Sequence, residues 1–214
     1  MVLISQITLP VCAQMADTEY DWEEKLNENG ITIFTSNVDD SPFKAVRGEM
    51  IVKGTVIQLV ELIFDLQNCP NWADLCKESI TVKHVSDLEL YIYVYNDIPF
   101  PVKDRDVVVH VVWSKNQDSG KVTMHSSATN LELSNKLRAI SDSAVRLTSA
   151  ISQWHFTPLD DGKVLVENFA HIDPNGPTPA WLTNLLLVKS PYKSMRNMRD
   201  IIQSGKYADQ PTRF

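Results

Sequence analysis

From Ile80 to Asp173 the chain repeats one pattern six times: ITVKHVS, ELYIYVYND, DVVVHVVWS, KVTMHSSATN, VRLTSAISQWHF and KVLVENFAHID, each β-branched or aromatic at period two. Turn-like Asp-Leu, Asp-Ser-Gly and Asp-Asp-Gly stand between several of them, so the series predicts an antiparallel meander. A meander that long must cover its apolar face. The expected cover is the stretch after Pro174-Asn175-Gly176-Pro177, PAWLTNLLLVKSPYKSMRNMRDIIQSGK, a long helix interrupted near Pro191. Trp181, Leu185, Val188, Tyr192, Met195 and Ile202 share one of its faces at 3-4 spacing, and Lys189, Lys193 and Arg196 fall on another.

Upstream, Asp17–Asn29 reads as a short acidic helix with Trp22 and Leu26 one turn apart, ended by Asn29-Gly30 as a left-handed cap. Residues 31–38 and 43–52 read as a strand and its return. Thr55 caps a buried helix over 56–66, and Pro70 starts a second helical piece that contains Trp72 and Leu75. The order is helix, two strands, two helices, six strands and a long helix. That is the α+β class, a sheet of about eight strands able to curl around the last helix.

Composition narrows function. Twenty basic against 27 acidic residues give a net charge of −7, which argues against nucleic acid as a partner. Residues 1–16 carry no charge, and Val11 and Ala13 suit cleavage after Ala13, but no basic region precedes them. A signal peptide and an apolar N-terminal strap both remain open; the first implies a periplasmic or secreted protein, the second a cytoplasmic one. Residues 17–206 read as one domain and 207–214 as a tail. Beyond Cys12 there is only the pair Cys69 and Cys76, able to close a disulfide in an oxidising compartment or to serve as small buried hydrophobes otherwise.

The five histidines (84, 110, 125, 155, 171) are scattered, with no metal-ligand spacing. No phosphate-binding glycine loop, nucleophile elbow or dinucleotide fingerprint is present, so no metal or organic cofactor is expected. His171 and Asp173 form a weak acid–imidazole pair on one strand. The stretch NDIPFPVKDRDVVVHVV (96–112) is more pointed, because it sets Asp104-Arg105-Asp106 against a run of valines, where unpaired charge is costly.

In the order and content of its elements the chain resembles the START family of StAR-related lipid-transfer domains, with closest similarity to stand-alone bacterial members. The resemblance is carried by DIPFPVKDRDVVV (97–109), WHFTPLDDGKVLVENFAHIDPNGPTPAWLTNLL (154–186) and SPYKSMRNMRDI (190–201), with Gly-Glu in VRGEM and Trp72 in CPNWADLC in support. It covers roughly residues 20–203. It implies a helix-grip fold, a curved antiparallel sheet wrapped around the C-terminal helix, with an internal hydrophobic tunnel that holds one lipid-like molecule. The segment Asp97 to Asp104 and the C-terminal helix would form the lid, with Ile98, Pro99, Phe100 and Pro101 as a stiff apolar lip. Trp181, Leu185 and Val188 would roof the tunnel, while Arg105 either meets ligand or ties the loop to the sheet; both roles need it paired.

Candidates for polar contacts with the ligand are Arg47, Glu49, Tyr91, Tyr93, Tyr95, His110, Gln153, Asn168 and His171, beside Trp72. Cys69 stands where some phospholipid- and ceramide-binding relatives have a basic residue, and Val111 where sterol carriers have an arginine, so the resemblance does not single out one of the familiar ligands. The expected function is non-enzymatic binding, and transfer or sensing, of one lipid or other hydrophobic molecule. A monomer is expected, with transient membrane contact through the basic helix face. The rival is an aromatase/cyclase-like enzyme of the same superfamily working through His171, Asp173, His110 or Arg105.

Overall fold

The computed structural model describes residues 20–176 and 179–214, except the side chains of Ala180 and Trp181; the apolar leader and Cys12 lie outside the described residues. Ten strands form one sheet: β1 (Glu23–Glu28), β2 (Ile31–Val38), β3 (Ser41–Lys53), β4 (Cys76–Ser86), β5 (Glu89–Asn96), β6 (Asp104–Lys115), β7 (Val122–Ala128), β8 (Ala144–Arg146), β9 (Ala150–Leu159) and β10 (Lys163–Ile172). Their spatial order is β1-β2-β3-β10-β9-β7-β6-β5-β4, with β8 pairing β6 off this path. The expected meander is present. β10 returns to pair β3, so the N-terminal hairpin continues the same sheet.

Three expectations need correction. The acidic segment before Asn29 is not a helix: β1 pairs β2 antiparallel, and Asn29 and Gly30, at φ 52° and 71°, make the hairpin turn. The same dipeptide serves a helix cap or a primed hairpin turn, and the unpaired edge of β2 decides between them. The stretch 145–156 is not one strand, because β8 runs parallel to β6 before the chain turns into β9. Between β7 and β8 the chain forms a helix that the sequence pattern did not predict, α3 (Leu131–Leu137), whose Asn130 side chain caps Leu133 N–H at 2.9 Å.

Three of the helices lie against the concave face. α1 (Val56–Phe64) starts at the expected cap, Thr55, which forms a reciprocal capping box with Gln58. A 3-10 turn at Leu66–Asn68 leads into α2 (Cys69–Trp72), which ends before Leu75, the latter being in the left-handed region at φ 69°. The C-terminal helix is three pieces: α4 (Ala180–Asn184), a π-helical turn (Leu185–Lys189) and α5 (Ser190–Gln203). The interruption expected at Pro191 is therefore absorbed by a wide turn just before it.

α5 buries Met195, Met198 and Ile202 against the sheet. Its approach depends on Gly48: a Cβ there would lie 2.5 Å from Met195 Sδ, so any side chain would force Met195 out of its place against the sheet. Trp72, Trp113, Trp154 and Phe156 complete one contiguous core with α1 and α5. Residues 207–214, read from the sequence as a C-terminal tail, pack back onto α1: Tyr207 is buried, and Arg213 pairs Glu61 through Nε–Oε1 and Nη2–Oε2 contacts of 2.6 and 2.9 Å. Among the described residues no helix is long and apolar enough to cross a membrane.

Candidate ligand-binding site

Strand pairing fixes which side chains look inward, because directly opposed residues share a face. Gly48 faces α5; the partners Ile33, Gly48, Asn168, Trp154, Met124 and Trp113 therefore form one transverse row of the concave face. The next row toward the 97–104 end is Thr35, Val46, Ala170, Ser152, Ser126 and Val111. Bulky aromatics fill the interior in the first row, whereas the second is made of small or polar side chains. Around it Val94, Val109, Ala128, Ser152, Asn168 and Ala170 keep partial exposure although they point inward. The interior is thus filled by aromatic rings at one half, while toward the 97–104 end small and polar side chains face inward and several keep partial exposure.

This belt carries its own polar chemistry. Asn168 Nδ2 donates to Gln153 O at 3.0 Å and to Ser152 Oγ at 3.4 Å, and Ser126 Oγ donates to Ser152 O at 3.4 Å. The hydroxyl of Thr35 and Nε1 of Trp72 are buried without any hydrogen-bond partner. Unmet donors of that kind cost about 1–3 kcal/mol each. Thr35, Ser126 and Ser152 are absent from the candidates that the sequence suggests, although one signal was present: each is the polar member of an otherwise apolar inward series, as in Ile31-Ile33-Thr35 and Ser152-Trp154-Phe156.

The pleat sends most of the polar candidates to the other face. Glu49 and Arg47 pair at 2.6 Å on the convex side, with the guanidinium over Trp22 and Phe34. His110 bonds Glu89 at 2.8 Å and stacks on Tyr91. His171 lies 3.0 Å from Ser41 Oγ and 3.2 Å from Phe43 O. Gln153 pairs His125 at 3.2 Å, Tyr95 donates to Asp104, and Tyr93 donates to Asp106. Glu49, Tyr93, His110 and His171 thus do not meet at a tunnel-facing site, and no acid–base constellation joins His110, His171 and Arg105. Of the polar candidates, Arg105 and Asn168 look inward. Trp72 stands in the core edge-on to Trp154, at 6.0 Å between ring centroids. Leu185 and Val188 are half-buried on the π turn, and the Trp181 side chain lies outside the described residues.

The three charges of Asp104-Arg105-Asp106 have three separate partners. Asp104 accepts from Ile98 N–H at 2.8 Å and from the Tyr95 hydroxyl. Burial alone would raise its carboxyl, but these hydrogen bonds and nearby Lys77 outweigh it and hold the group below the usual carboxylate range. Asp106, fully buried, is bound at both oxygens by Arg146 of β8, at 2.8 and 3.0 Å. Arg105 is paired to carbonyls: Nε donates to Pro174 O at 2.8 Å and Nη1 to Lys103 O. It therefore ties the 97–104 loop to the segment that leads into α4. Burial lowers its guanidinium from the ordinary value, with Asp104 opposing. Of the lip, Ile98 is buried and Phe100 is 94% exposed at the tip.

At the root of α5, Cys69 and Cys76 Sγ atoms lie 2.08 Å apart, in disulfide geometry. The loop they enclose grips α5: Asp74 N–H donates to Ser194 Oγ at 2.9 Å, Lys193 Nζ meets Asp74 Oδ1 at 3.0 Å, and Asn197 Nδ2 donates to Trp72 O at 3.4 Å.

A solved STAR-related lipid transfer protein fragment from Xanthomonas axonopodis superposes with a TM-score of 0.74 at 27% identity, covering 85% of this chain and 98% of that one. Human StAR-related lipid transfer protein 5 gives 0.75 at 17% identity, covering 89% and 90%. An uncharacterised Pseudomonas aeruginosa protein is 28% identical over 179 residues, 84% of this chain and 85% of its own. The START domain model matches residues 10–206. With its ten-stranded curved sheet closed on a C-terminal helix, this chain belongs to the START domain family.

Proposed function

We propose that this protein is a non-enzymatic carrier or sensor that holds one lipid or other hydrophobic molecule between the concave face of the sheet and the 180–203 helix. The observation that carries the reading is the inward belt of small and polar side chains toward the 97–104 end, Thr35, Ser126, Ser152 and Asn168, part of it still exposed, with the unmet donors of Thr35 and Trp72. An apolar chain entering that space is favourable by roughly 0.8 kcal/mol per buried methylene. An oxygen of the ligand accepting from the belt or from Trp72 would remove a desolvation cost that the empty protein bears.

Exchange requires a way in. The 97–104 loop and the segment before α4 are joined by Arg105 on Pro174 O, so they open together. Phe100 at the exposed tip and the cations of the helix, Lys189, Arg196 and Arg199 among them, suit brief contact with an anionic membrane. The protein's part in this reading is to exclude water and orient the guest, with no bond made or broken.

Native mass spectrometry of the purified protein, followed by extraction of whatever is bound, tests the reading. One hydrophobic guest per chain is expected, with affinity lowered at least tenfold by Asn168→Leu or Ser152→Val. Phe100→Asp should slow transfer to anionic vesicles several-fold and leave equilibrium binding unchanged. An empty protein that binds nothing from a broad lipid panel would overturn the proposal.

A further inference from the structure

A second cavity lies at the other end of the fold. It occupies about 350 Å³ between the start of α1, the β6–β7 and β9–β10 turns and residues 212–214. That is the low end of the range for small-molecule sites. The 97–104 loop joins β5 to β6 at the opposite end of the strands, so this space is separate from the lid.

Its walls are apolar, formed by Val56, Val60, Val122, Pro158 and Val164, with Ile57 and Leu159 exposed at the rim. Its side-chain charges are unbalanced. Glu61 is neutralised by the two-point contact with Arg213, and Lys115 and Lys163 form no ion pair among the described residues; Phe214, the last residue of the sequence, lines the same recess and sets its terminal carboxylate against one of the two lysine charges. Asp160 and Asp161 stand in the neighbouring β9–β10 turn but are not part of the lining. An apolar recess with an unneutralised cation at its edge complements a molecule with a short apolar chain and an anionic head.

We infer that this rear cavity is a second binding site, for a single-chain carboxylate amphiphile such as a medium-chain fatty acid. The chain lies along the valine wall and the carboxylate stays at the mouth near a lysine. The inference stands independently of the proposed tunnel ligand, since it uses none of the same residues.

Decanoate and its neutral counterpart decanol are the probes, titrated into isotopically labelled full-length protein and followed by NMR. Saturable shifts are expected at Gly54, Val60, Val122 and Val164, with decanoate binding at least tenfold tighter than decanol. The double substitution Lys115→Glu/Lys163→Glu should abolish that preference and leave decanol binding unchanged. Both lysines are exposed, so folding is not at stake. Shifts confined to the belt of Ser126, Ser152 and Asn168 would overturn the inference, as would equal binding of the two probes or no saturable binding.

Discussion

The ion pair between Asp106 and Arg146 offers the sharpest test of the fold's physics. The side chains are 0% and 2% exposed, and beyond Asp106 the guanidinium reaches Ser134 Oγ and the carbonyls of Arg138 and Ala139. Asp106 in turn accepts from Tyr93. The pair thus fastens the 129–147 excursion, with α3 and β8, onto the convex face of β5 and β6. Replacing Arg146 by Met leaves a carboxylate in a dry site with one hydroxyl donor, at an expected loss of about 4 kcal/mol. Asp106→Leu strands the guanidinium instead and should cost a similar amount. The double variant removes both buried charges, so its loss should be no larger than either single one, at most about 4 kcal/mol and not about 8, a coupling of at least about 4 kcal/mol. In urea, with a slope of about 2 kcal/mol per molar, Arg146→Met should lower the midpoint by about 2 M. A loss under about 1 kcal/mol for either single variant, or strict additivity in the cycle, would refute the reasoning.

Joining Cys69 to Cys76 closes an eight-residue ring, worth about 2.5 kcal/mol of loop entropy on the chain-entropy model. A Cys69→Ser/Cys76→Ser variant should lose about that much in urea unfolding, and a dithiol reductant should lower the parent to match it; a parent indifferent to reductant would refute the bridge. Burial holds the His125 and His155 imidazoles below the ordinary 6.5, with His110 and Lys121 respectively adding to the effect. A group depressed on folding gives stability that is whole above the unfolded value, so stability should fall as pH drops below 6.5 and through the folded values. His125→Gln/His155→Gln should flatten that slope, as measured by urea midpoints from pH 7.5 to 5. Gly48→Ala should cost about 1–3 kcal/mol by displacing Met195, and Met195→Ala in the same chain should relieve part of it.

The long-range frame was legible because it rests on period two: each β segment from Ile80 onward carried its own alternation, and Thr55 announced α1. What misled was local chemistry with two uses. Asn29-Gly30 serves a cap or a hairpin, and only the edge of β2 settles which. The site was harder to read than the sheet because a strand's alternation tells which residues go together and not which set looks inward. Tyr91, Tyr93 and His110 stood out as polar groups in apolar strands, yet they share the convex parity. The inward parity was marked by quieter residues, Thr35, Ser126 and Ser152, which a search for conspicuous chemistry passes over. Arg105 was expected to be paired, and its partners are the carbonyls of Pro174 and Lys103.

The division of the C-terminal helix at its π turn also bears on rates. α5 is gripped by the Cys69–Cys76 loop and packed on Gly48, whereas Leu185–Val188 are only half-buried. Under the proposed function the two pieces would act as separate cooperative units, the front one lifting in a fluctuation far smaller than unfolding. Guest release would then be a local event with its own barrier, so core substitutions that raise the melting temperature should leave the off-rate unchanged. Amide exchange would show the same boundary, fast and nearly independent of denaturant through residue 189 and slow with a global slope from Met195 onward. Thermal robustness and speed of exchange are, in this architecture, separately adjustable.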